Sequence, residues 1–138
     1  MDAVHYSDTA DGVTADDLDG FFVGWPEPPS LARRLQIVHA ADEVVIARST
    51  DGEGAGTVIG FSTAITDHCF AAYVPLVEVL PAHQGRGIGT AMVRQLLTRL
   101  GEHCYMVDLV CDDDVVPFYE RIGGTRLNAV AWRYYDRL

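Results

Sequence analysis

Apolar runs in the middle of the chain predict a β-hairpin. Residues 44–48 and 57–65 are rich in β-branched residues and flank the turn-like segment 49–56, STDGEGAG. Asp-Gly and neighbouring glycines supply the positive φ angles that hairpin turns need. We therefore expect two paired strands joined by this segment.

Two later segments are apolar on both alternating faces, which is typical of strands packed on both sides of a sheet. They are residues 73–80 (YVPLVEVL) and 106–111 (MVDLVC). Both are predicted as buried central strands. Pro75 has no N–H to donate to a ladder, so we expect a local gap in pairing there.

Helical periodicity separates these two strands. Met92, Leu96 and Leu100 follow Ile88 at steps of four, and Gly101 ends the run. This spacing predicts an amphipathic helix.

Two shorter helices are predicted on either side of this region. One spans residues 31–41 with Ser30 as its N-cap, and the other spans 115–122 before a Gly-Gly pair. The predicted order is a helix-rich start, strands, a helix, a strand, a helix and a terminal strand. It indicates an α/β domain with one mixed sheet.

Composition adds limits on size and partners. A length of 138 residues, with 49% apolar residues, fits one domain with a core that needs neither metal nor disulfide staples. The 10 basic and 20 acidic residues give a net charge of −10, and the basic residues do not cluster. Nucleic acid is therefore not an expected partner.

Cysteine usage and hydropathy indicate the compartment. Cys69, Cys104 and Cys111 have no CxxC spacing, which is typical of reduced thiols. The sequence opens with no cationic-then-apolar leader, and no apolar run reaches the ~18 residues of a membrane span. We expect a cytoplasmic protein without membrane contact, and a homodimer is left open.

The most informative stretch is 77–90, VEVLPAHQGRGIGT. A predicted strand ends, alternate glycines follow, and an amphipathic helix begins at once. Unshielded backbone N–H groups and a helix N-terminus together favour phosphate binding. A Walker loop is excluded because the chain has no lysine, and a dinucleotide loop fails because the sixth position from Gly85 is Thr90.

The pattern Q-x-x-G-x-G, formed by Gln84, Gly87 and Gly89, lies between a V-x-V strand and a long helix. It resembles the CoA-binding motif of the GNAT superfamily of CoA-dependent N-acetyltransferases. Segment 112–124 (DDDVVPFYERIGG) resembles the next motif of that family. The resemblance implies one N-acetyltransferase domain over residues 1–138, with a mixed, mostly antiparallel sheet splayed around the acetyl-CoA site and flanked by helices.

The resemblance also implies roles for particular residues. Backbone groups of Val77 and Val79 would bond the pantetheine arm like an added strand. Asp112 stands nearest the place where the family commonly has a cofactor-contacting Asn, and Phe118 is grouped with it. Tyr119 matches the general-acid position. The N–H groups expected to hold the diphosphate are those of Gln84, Gly85, Arg86, Gly87, Ile88, Gly89 and Thr90.

The implied chemistry is attack of an amine on the thioester of acetyl-CoA through a tetrahedral intermediate, without a metal. A strand N–H near Val79 would stabilise the oxyanion, and a base would take the amine proton. Glu78 and Asp108 are each the one acidic residue in a predicted central strand, where desolvation should raise the carboxyl pKa. They rank equally as the base; for each, the alternative is a carboxylate buried in a structural ion pair or hydrogen-bonded to a neighbouring loop.

The remaining polar candidates have simpler interpretations. His83 is expected to be a solvated turn residue and His68, beside Asp67, a structural one. Phe21, Phe22 and Trp25 line an acceptor pocket or simply pack in the core.

The acceptor is expected to be an amine of a small molecule or peptide, and the acidic surplus favours a cationic one. A non-catalytic acyl-CoA sensor or accessory domain of the same fold stays open as an alternative.

Overall fold

In the computed structural model, which describes residues 3–138, a five-stranded sheet carries helices on its faces. The strands are β1 (Val4–Ser7), β2 (Glu43–Ser49), β3 (Val58–Thr66), β4 (Ala71–Val79) and β5 (Met106–Asp108). The α-helices are α1 (Leu31–Ala40), α2 (Ile88–Leu100) and α3 (Val116–Arg121). None of the helices in this described range is long and apolar enough to cross a bilayer.

The strands lie in sequence order across the sheet. The first four pair antiparallel, and β5 pairs parallel with β4 after the crossover through α2. The predicted mixed, mostly antiparallel sheet is confirmed. Strand β1 was missed, because the sequence predicted a helix-rich start and its four residues carry too little periodic signal.

The β2–β3 hairpin and the gap at Pro75 formed as predicted. Residues 50–57 connect β2 to β3, with a 3-10 turn at Gly52–Gly54. In the β3–β4 pair, Thr63 faces Leu76 and Ile65 faces Tyr73, so Ala64 alone opposes both Val74 and Pro75. This bulge takes up the extra residue where proline cannot donate.

The helices end where local chemistry predicts. Ser30 caps α1, its hydroxyl accepting a bond from the Arg33 N–H at 3.2 Å. Helix α2 runs from Ile88 to Leu100 as expected, and Gly101 donates its N–H to the Leu97 carbonyl at 2.8 Å.

Two apolar clusters occupy the two faces of the sheet and define three layers. The first packs α1 and the loop before it against β2 and β3 through residues such as Phe61 and Ile46. The second packs the apolar stripe of α2, including Met92 and Leu96, against β2, β3 and β4. Alternate residues of each central strand therefore serve different layers.

Two expectations about the end of the chain are wrong. Segment 106–111 is not a buried central strand: β5 covers only Met106–Asp108, pairs with β4 alone among the described residues, and forms an edge. The predicted terminal strand is also absent from the described chain. Residues 125–134 are exposed and form no regular secondary structure, and a 3-10 turn at Tyr135–Arg137 follows them.

Candidate active site

A gap opens between β4 and β5. Strand β4 stays paired with β3 as far as Val79, whereas its pairing with β5 covers only Ala71 to Tyr73. Strand β5 ends at Asp108, opposite Tyr73, so in residues 3–138 no strand covers this edge of β4 beyond that point. This split is the splay that the sequence predicted.

The free edge of β4 presents the backbone of alternate residues. Leu80 donates its N–H to the Ile59 carbonyl of β3 at 2.9 Å. Because backbone direction alternates along a strand, the N–H groups of Val77 and Val79 point away from β3, into the gap. The Val79 carbonyl on that side accepts a bond from the Gln84 side chain at 3.1 Å. An extended ligand lying in the gap would meet these groups as it would meet a neighbouring strand.

The glycine-rich loop lies at the end of β4. Gly85 and Gly87 have φ angles of 77° and 81°, and no heavy atom lies within 4 Å of the position a Cβ would take on either. Within residues 3–138 no side chain caps α2, and its first intrahelical bond runs from the Ala91 N–H to the Gly87 carbonyl at 3.0 Å. The N–H groups of Ile88, Gly89 and Thr90 therefore lack intrahelical acceptors. Open space beside these donors suits an anion.

Helix α3 brings its aromatic residues to this loop. The Phe118 ring lies 3.4 Å from the position of a Cβ on Gly89, and the Val79 side chain is 3.7 Å from the same point. Tyr119 packs edge-on against Phe118, with ring centroids 4.9 Å apart. The fold thus gathers three predicted cofactor contacts and the predicted acid in one place.

Burial raises the pKa of Tyr119 to about 12, and the nearby Cys111 adds to the shift. The phenol is fully protonated at neutral pH and can donate a hydrogen bond. The ordinary pKa of a phenol is about 10 and that of a thiol about 8.5, so burial widens the difference between Tyr119 and a leaving thiolate. The sequence did not predict that Cys111 acts on Tyr119. The available signal was its position directly before the second motif, which begins with the DDD run.

Glu78 is desolvated, as predicted. Its Oε1 accepts a bond from the Phe22 N–H at 2.7 Å, while Oε2 is buried without a hydrogen-bond partner in the described chain. Burial raises the carboxyl pKa; the Phe22 bond and the charge of Arg34 oppose that shift. A raised pKa and a free buried oxygen are properties of a general base.

Arg34 organises the segment that covers Glu78, and the sequence argument missed it. Its guanidinium, on the apolar face of α1, is buried and donates to the carbonyls of Leu18, Asp19 and Phe21 at 2.8–3.2 Å. The bonds fix the loop that presents the Phe22 N–H. An arginine on the apolar face of a predicted helix, four residues after Ser30, was the available signal.

Asp108 and Asp112 depart from expectation. Asp108 lies exposed on the edge strand β5, so the burial expected of it is wrong. The reason is that β5 is short and has one neighbour. Asp112 is exposed as well, and its carbonyl accepts the Val115 N–H at 2.9 Å, which helps to begin α3.

The two histidines differ. His68 is exposed, with a φ of 60°, in the β3–β4 turn. There Asp67 Oδ1 accepts the N–H groups of Cys69, Phe70 and Ala71 at 2.8–3.1 Å, so this pair is structural as expected. His83 is half-buried and its Nδ1 is buried without a hydrogen-bond partner in the described chain. The expectation of a solvated His83 is wrong.

Of the aromatic residues considered for the acceptor pocket, two lie in the core and one lies at the surface. Phe21 and Phe22 are buried against Phe61, with centroids 5.0 and 6.2 Å away. Trp25 is 41% exposed and packs edge-on against Phe22. Of the three, Trp25 is the one accessible to an acceptor.

The sequence profile of the acetyltransferase (GNAT) family matches residues 10–124. This chain belongs to the GNAT family. The membership agrees with the splayed sheet and the glycine loop, and it confirms the family that the two sequence motifs predicted.

Several relatives show how closely this GNAT chain resembles known proteins. A protein of Glycine max named a histone acetyltransferase is 34% identical over 107 residues, covering 73% of this chain and 46% of that protein. A provisionally named acetyltransferase from Deinococcus radiodurans R1, known from its crystal structure, is 47% identical, with a TM-score of 0.88 and coverage of 96% of this chain and 90% of that one. This GNAT chain spans about half the length of the curated relatives it matches first.

A more distant structure extends the fold comparison. An aminoglycoside N-acetyltransferase crystallised in complex with CoA is 16% identical, with a TM-score of 0.65 and coverage of 100% of this chain and 97% of that one. At this identity the likeness shows the GNAT fold alone.

Proposed function

We propose that this chain is an acetyl-CoA-dependent N-acetyltransferase that moves an acetyl group to a primary amine of a small molecule or peptide. We treat residues 1–138 as one catalytic domain. One observation carries the proposal: Oε2 of Glu78 is buried with no hydrogen-bond partner among residues 3–138, and the next residue of the strand, Val79, directs its N–H into the open gap.

The residues at the end of β4 fit the cofactor. Gly85 and Gly87 leave open space beside the uncapped N-terminus of α2, which suits the diphosphate of CoA. The free backbone of Val77 and Val79 suits the amides of its pantetheine arm. When bound, acetyl-CoA supplies an acetyl group activated as a thioester. The CoA complex of the distant aminoglycoside N-acetyltransferase is consistent with this assignment.

Glu78 is the proposed base, and Asp108 becomes the weaker candidate because it is exposed. Glu78 points to the face of the sheet covered by the Phe22 loop, where the acceptor would enter. An ammonium group must lose a proton before its nitrogen can attack a carbonyl carbon. The free Oε2 takes that proton, directly or through a water molecule.

Attack forms the bond between nitrogen and the acetyl carbon and places negative charge on the carbonyl oxygen. The Val79 N–H, fixed in the strand, stabilises that charge without reorganising. As the carbon–sulfur bond breaks, the Tyr119 hydroxyl donates a hydrogen bond to the leaving thiolate. With a pKa raised to about 12, full proton transfer to a thiolate is uphill, so Tyr119 acts first as a hydrogen-bond donor.

The acceptor is a cationic amine. The net charge of −10 favours a cation near the surface, and Trp25 offers an exposed aromatic face for it. Small-molecule amines and peptide amines stay equal candidates.

A non-catalytic acyl-CoA-binding domain is the second candidate. The observation in its favour is the pKa of Tyr119, because a phenol with a pKa of about 12 is a poor proton donor to a thiolate.

The cytoplasmic location stays a prediction from the sequence.

The test is acetyl-CoA consumption with a panel of amines, comparing the wild type with E78Q, D108N and Y119F. E78Q keeps an oxygen for the Phe22 N–H but cannot take a proton, so kcat should fall by about 10²–10⁴-fold. Y119F should lower kcat by roughly 10²-fold with unchanged CoA affinity. D108N is the matched carboxylate control and should change kcat little.

The pH profile adds a second readout. Glu78 acts as a base only when ionised, so wild-type kcat/KM should rise with pH through a pKa above the ordinary glutamate value. E78Q should lose that limb. No turnover with any amine, despite acetyl-CoA binding, would favour the non-catalytic candidate; a full loss of activity in D108N alone would make Asp108 the base.

A further inference from the structure

Two cysteines lie on neighbouring segments at the end where β4 and β5 pair. Cys69 is in the turn between β3 and β4, and Cys104 is in the loop between α2 and β5. Both are free thiols, with Cys69 exposed and Cys104 half-buried. The chemistry proposed for the other end of β4 and its glycine-rich loop uses neither thiol.

The backbone holds these two segments side by side. Ala71 pairs with Met106 in the parallel register of β4 and β5. One residue earlier, the Phe70 carbonyl accepts the N–H groups of both Tyr105 and Met106, at 2.8 and 3.1 Å. The rings of Phe70 and Tyr105 stack with their centroids 5.7 Å apart. The start of β4 and the start of β5 are thus joined by main-chain bonds and by a side-chain contact.

Continuing this register by one residue places Cys69 opposite Cys104. Neighbouring strands lie about 4.8 Å apart, and a disulfide joins Cα atoms that are about 4.4–6.8 Å apart. The Cys104 side chain also reaches the turn itself. Its Sγ lies 3.2 Å from Thr66 Oγ1, and the same oxygen accepts the N–H of His68 at 3.0 Å. The Cys104 sulfur therefore lies against the turn that carries Cys69.

The ionisation of Cys69 agrees with this placement. The charge of the Asp67 carboxylate raises the pKa of the Cys69 thiol most, loss of hydration and a hydrogen bond to Asp67 add to the shift, and the charge of a Cys104 thiolate raises it further. The last effect requires the two sulfurs to lie near each other. Because the thiolate is the reactive form, the raised pKa suits a site that stays reduced until an oxidant is present.

We propose that Cys69 and Cys104 are a redox modification site, at which hydrogen peroxide produces a reversible disulfide within one chain. The thiol of Cys69, reacting as its thiolate, takes one oxygen of the peroxide to become a sulfenic acid, and the other oxygen leaves as water. Cys104 then attacks the Cys69 sulfur, closes the S–S bond and releases the second water. The two sulfurs are oxidised by two electrons in total, and the peroxide is reduced by two. A dithiol reductant reverses the bridge by exchange. This modification does not depend on the acetyltransferase activity.

The bridge would enclose a large part of the fold. Between residues 69 and 104 lie the whole of β4, the glycine-rich loop and α2. A disulfide across a loop of this length stabilises the folded state mainly by constraining the unfolded chain. Oxidation should therefore raise the melting temperature by roughly 5–10 °C.

The test is oxidation of the full chain with hydrogen peroxide, at low protein concentration and with a chelator present. The free thiols of the wild type should fall from three to one, and the intact mass should fall by two hydrogens. A digest without reductant should contain two peptides joined through Cys69 and Cys104. Dithiothreitol should restore all three thiols and the lower melting temperature.

Three serine variants assign the bridge. C69S is the main one, because Cys69 is exposed and its substitution does not touch the core. C69S and C104S should form no bridge within the chain and should gain no melting temperature on oxidation. C111S, which removes the third thiol, is the matched control and should behave like the wild type. Far-UV circular dichroism shows whether each variant keeps its fold.

Several outcomes would overturn the proposal. One is a wild type that keeps its three thiols, or that gains oxygen without joining two cysteines. Others are a bridge between two chains, seen as a band of doubled mass on a non-reducing gel, and a joined peptide that contains Cys111. An equal rise in the melting temperature of oxidised C69S would also contradict it.

Discussion

Strand β4 begins and ends in turns that both gather backbone N–H groups, but the two turns satisfy these groups differently. At its start, the Asp67 carboxylate accepts three N–H groups of the next residues. At its end, the glycine-rich loop has no side-chain cap on α2 and open space beside Gly85 and Gly87. The first turn contains its own anion, whereas the second leaves room for an anion from outside.

The contrast explains why similar backbone geometry serves stability in one place and binding in the other. The bonds to Cys69, Phe70 and Ala71 hold the pKa of Asp67 well below its usual range, which shows how strongly clustered N–H groups favour negative charge. The loop after β4 offers the same kind of donors, strengthened by the α2 helix dipole, to a diphosphate.

The largest effect is expected from a substitution that disrupts the glycine-rich loop after β4. Gly87→Val places a β-branched side chain at a φ of 81°, straining the loop by about 1–2 kcal/mol and filling the space beside the donors. Loss of charged hydrogen bonds worth ~1.5–3 kcal/mol should weaken CoA binding about 10- to 100-fold, measured by calorimetry. The matched control is G12V, at a glycine outside the loop that has a φ of 79° and equally open surroundings; similar weakening in this variant would contradict the binding role of the loop.

A smaller effect is expected in the turn before β4, where the Asp67 carboxylate accepts the backbone N–H groups. Asp67→Asn removes the charge but keeps an oxygen, and Asp67→Ala removes both, so the melting temperature should fall by a few degrees, more in the alanine variant. CoA affinity should not change. Asp51→Ala, which removes a single bond to the Ala3 N–H, is the control and should have a smaller effect.

The pH dependence of folding stability tests the role of the Asp67 carboxylate. Its folded-state pKa is lowered, so its contribution to stability is present above the unfolded value of about 3.9 and is lost as pH falls below it. The difference in stability between the wild type and D67N should be constant at neutral pH and shrink in acid. A difference that grows in acid would show that the carboxylate does not cap this turn.

The smallest effect comes from inorganic diphosphate. Binding to the folded state alone raises stability with ligand concentration, so millimolar diphosphate should raise the wild-type melting temperature by a degree or so. G87V should lose this shift, and D67N should keep it. An equal shift in G87V would place the anion elsewhere.

Much of the fold was predictable because its signals are local. The period of α2, the cap at Ser30 and the turn 49–56 each depend on a few adjacent residues, and all formed as predicted. The glycine loop was found for the same reason. Strand β5 was found as a strand, but its place at the edge of the sheet was not, because apolar residues on both faces describe a buried strand and an uncovered edge equally well.

The two candidate bases show where sequence reasoning ends. Glu78 and Asp108 occupy equivalent apolar runs and ranked equally, yet Glu78 is half-buried under a loop that bonds its carboxylate, whereas Asp108 is exposed. The difference arises from residues far away in the chain. Phe22, 56 positions before Glu78, supplies its bond, and Arg34 holds that loop in place.

The sequence by itself determined the spans of the main helices, the position of the glycine turn and the family, because short-range periodicity and turn chemistry carry that information. Only the tertiary structure decided which carboxylate loses its water, which strand edge stays open and where the last fourteen residues lie. Desolvation and edge exposure depend on the segments that pack nearby, and those segments are distant in sequence.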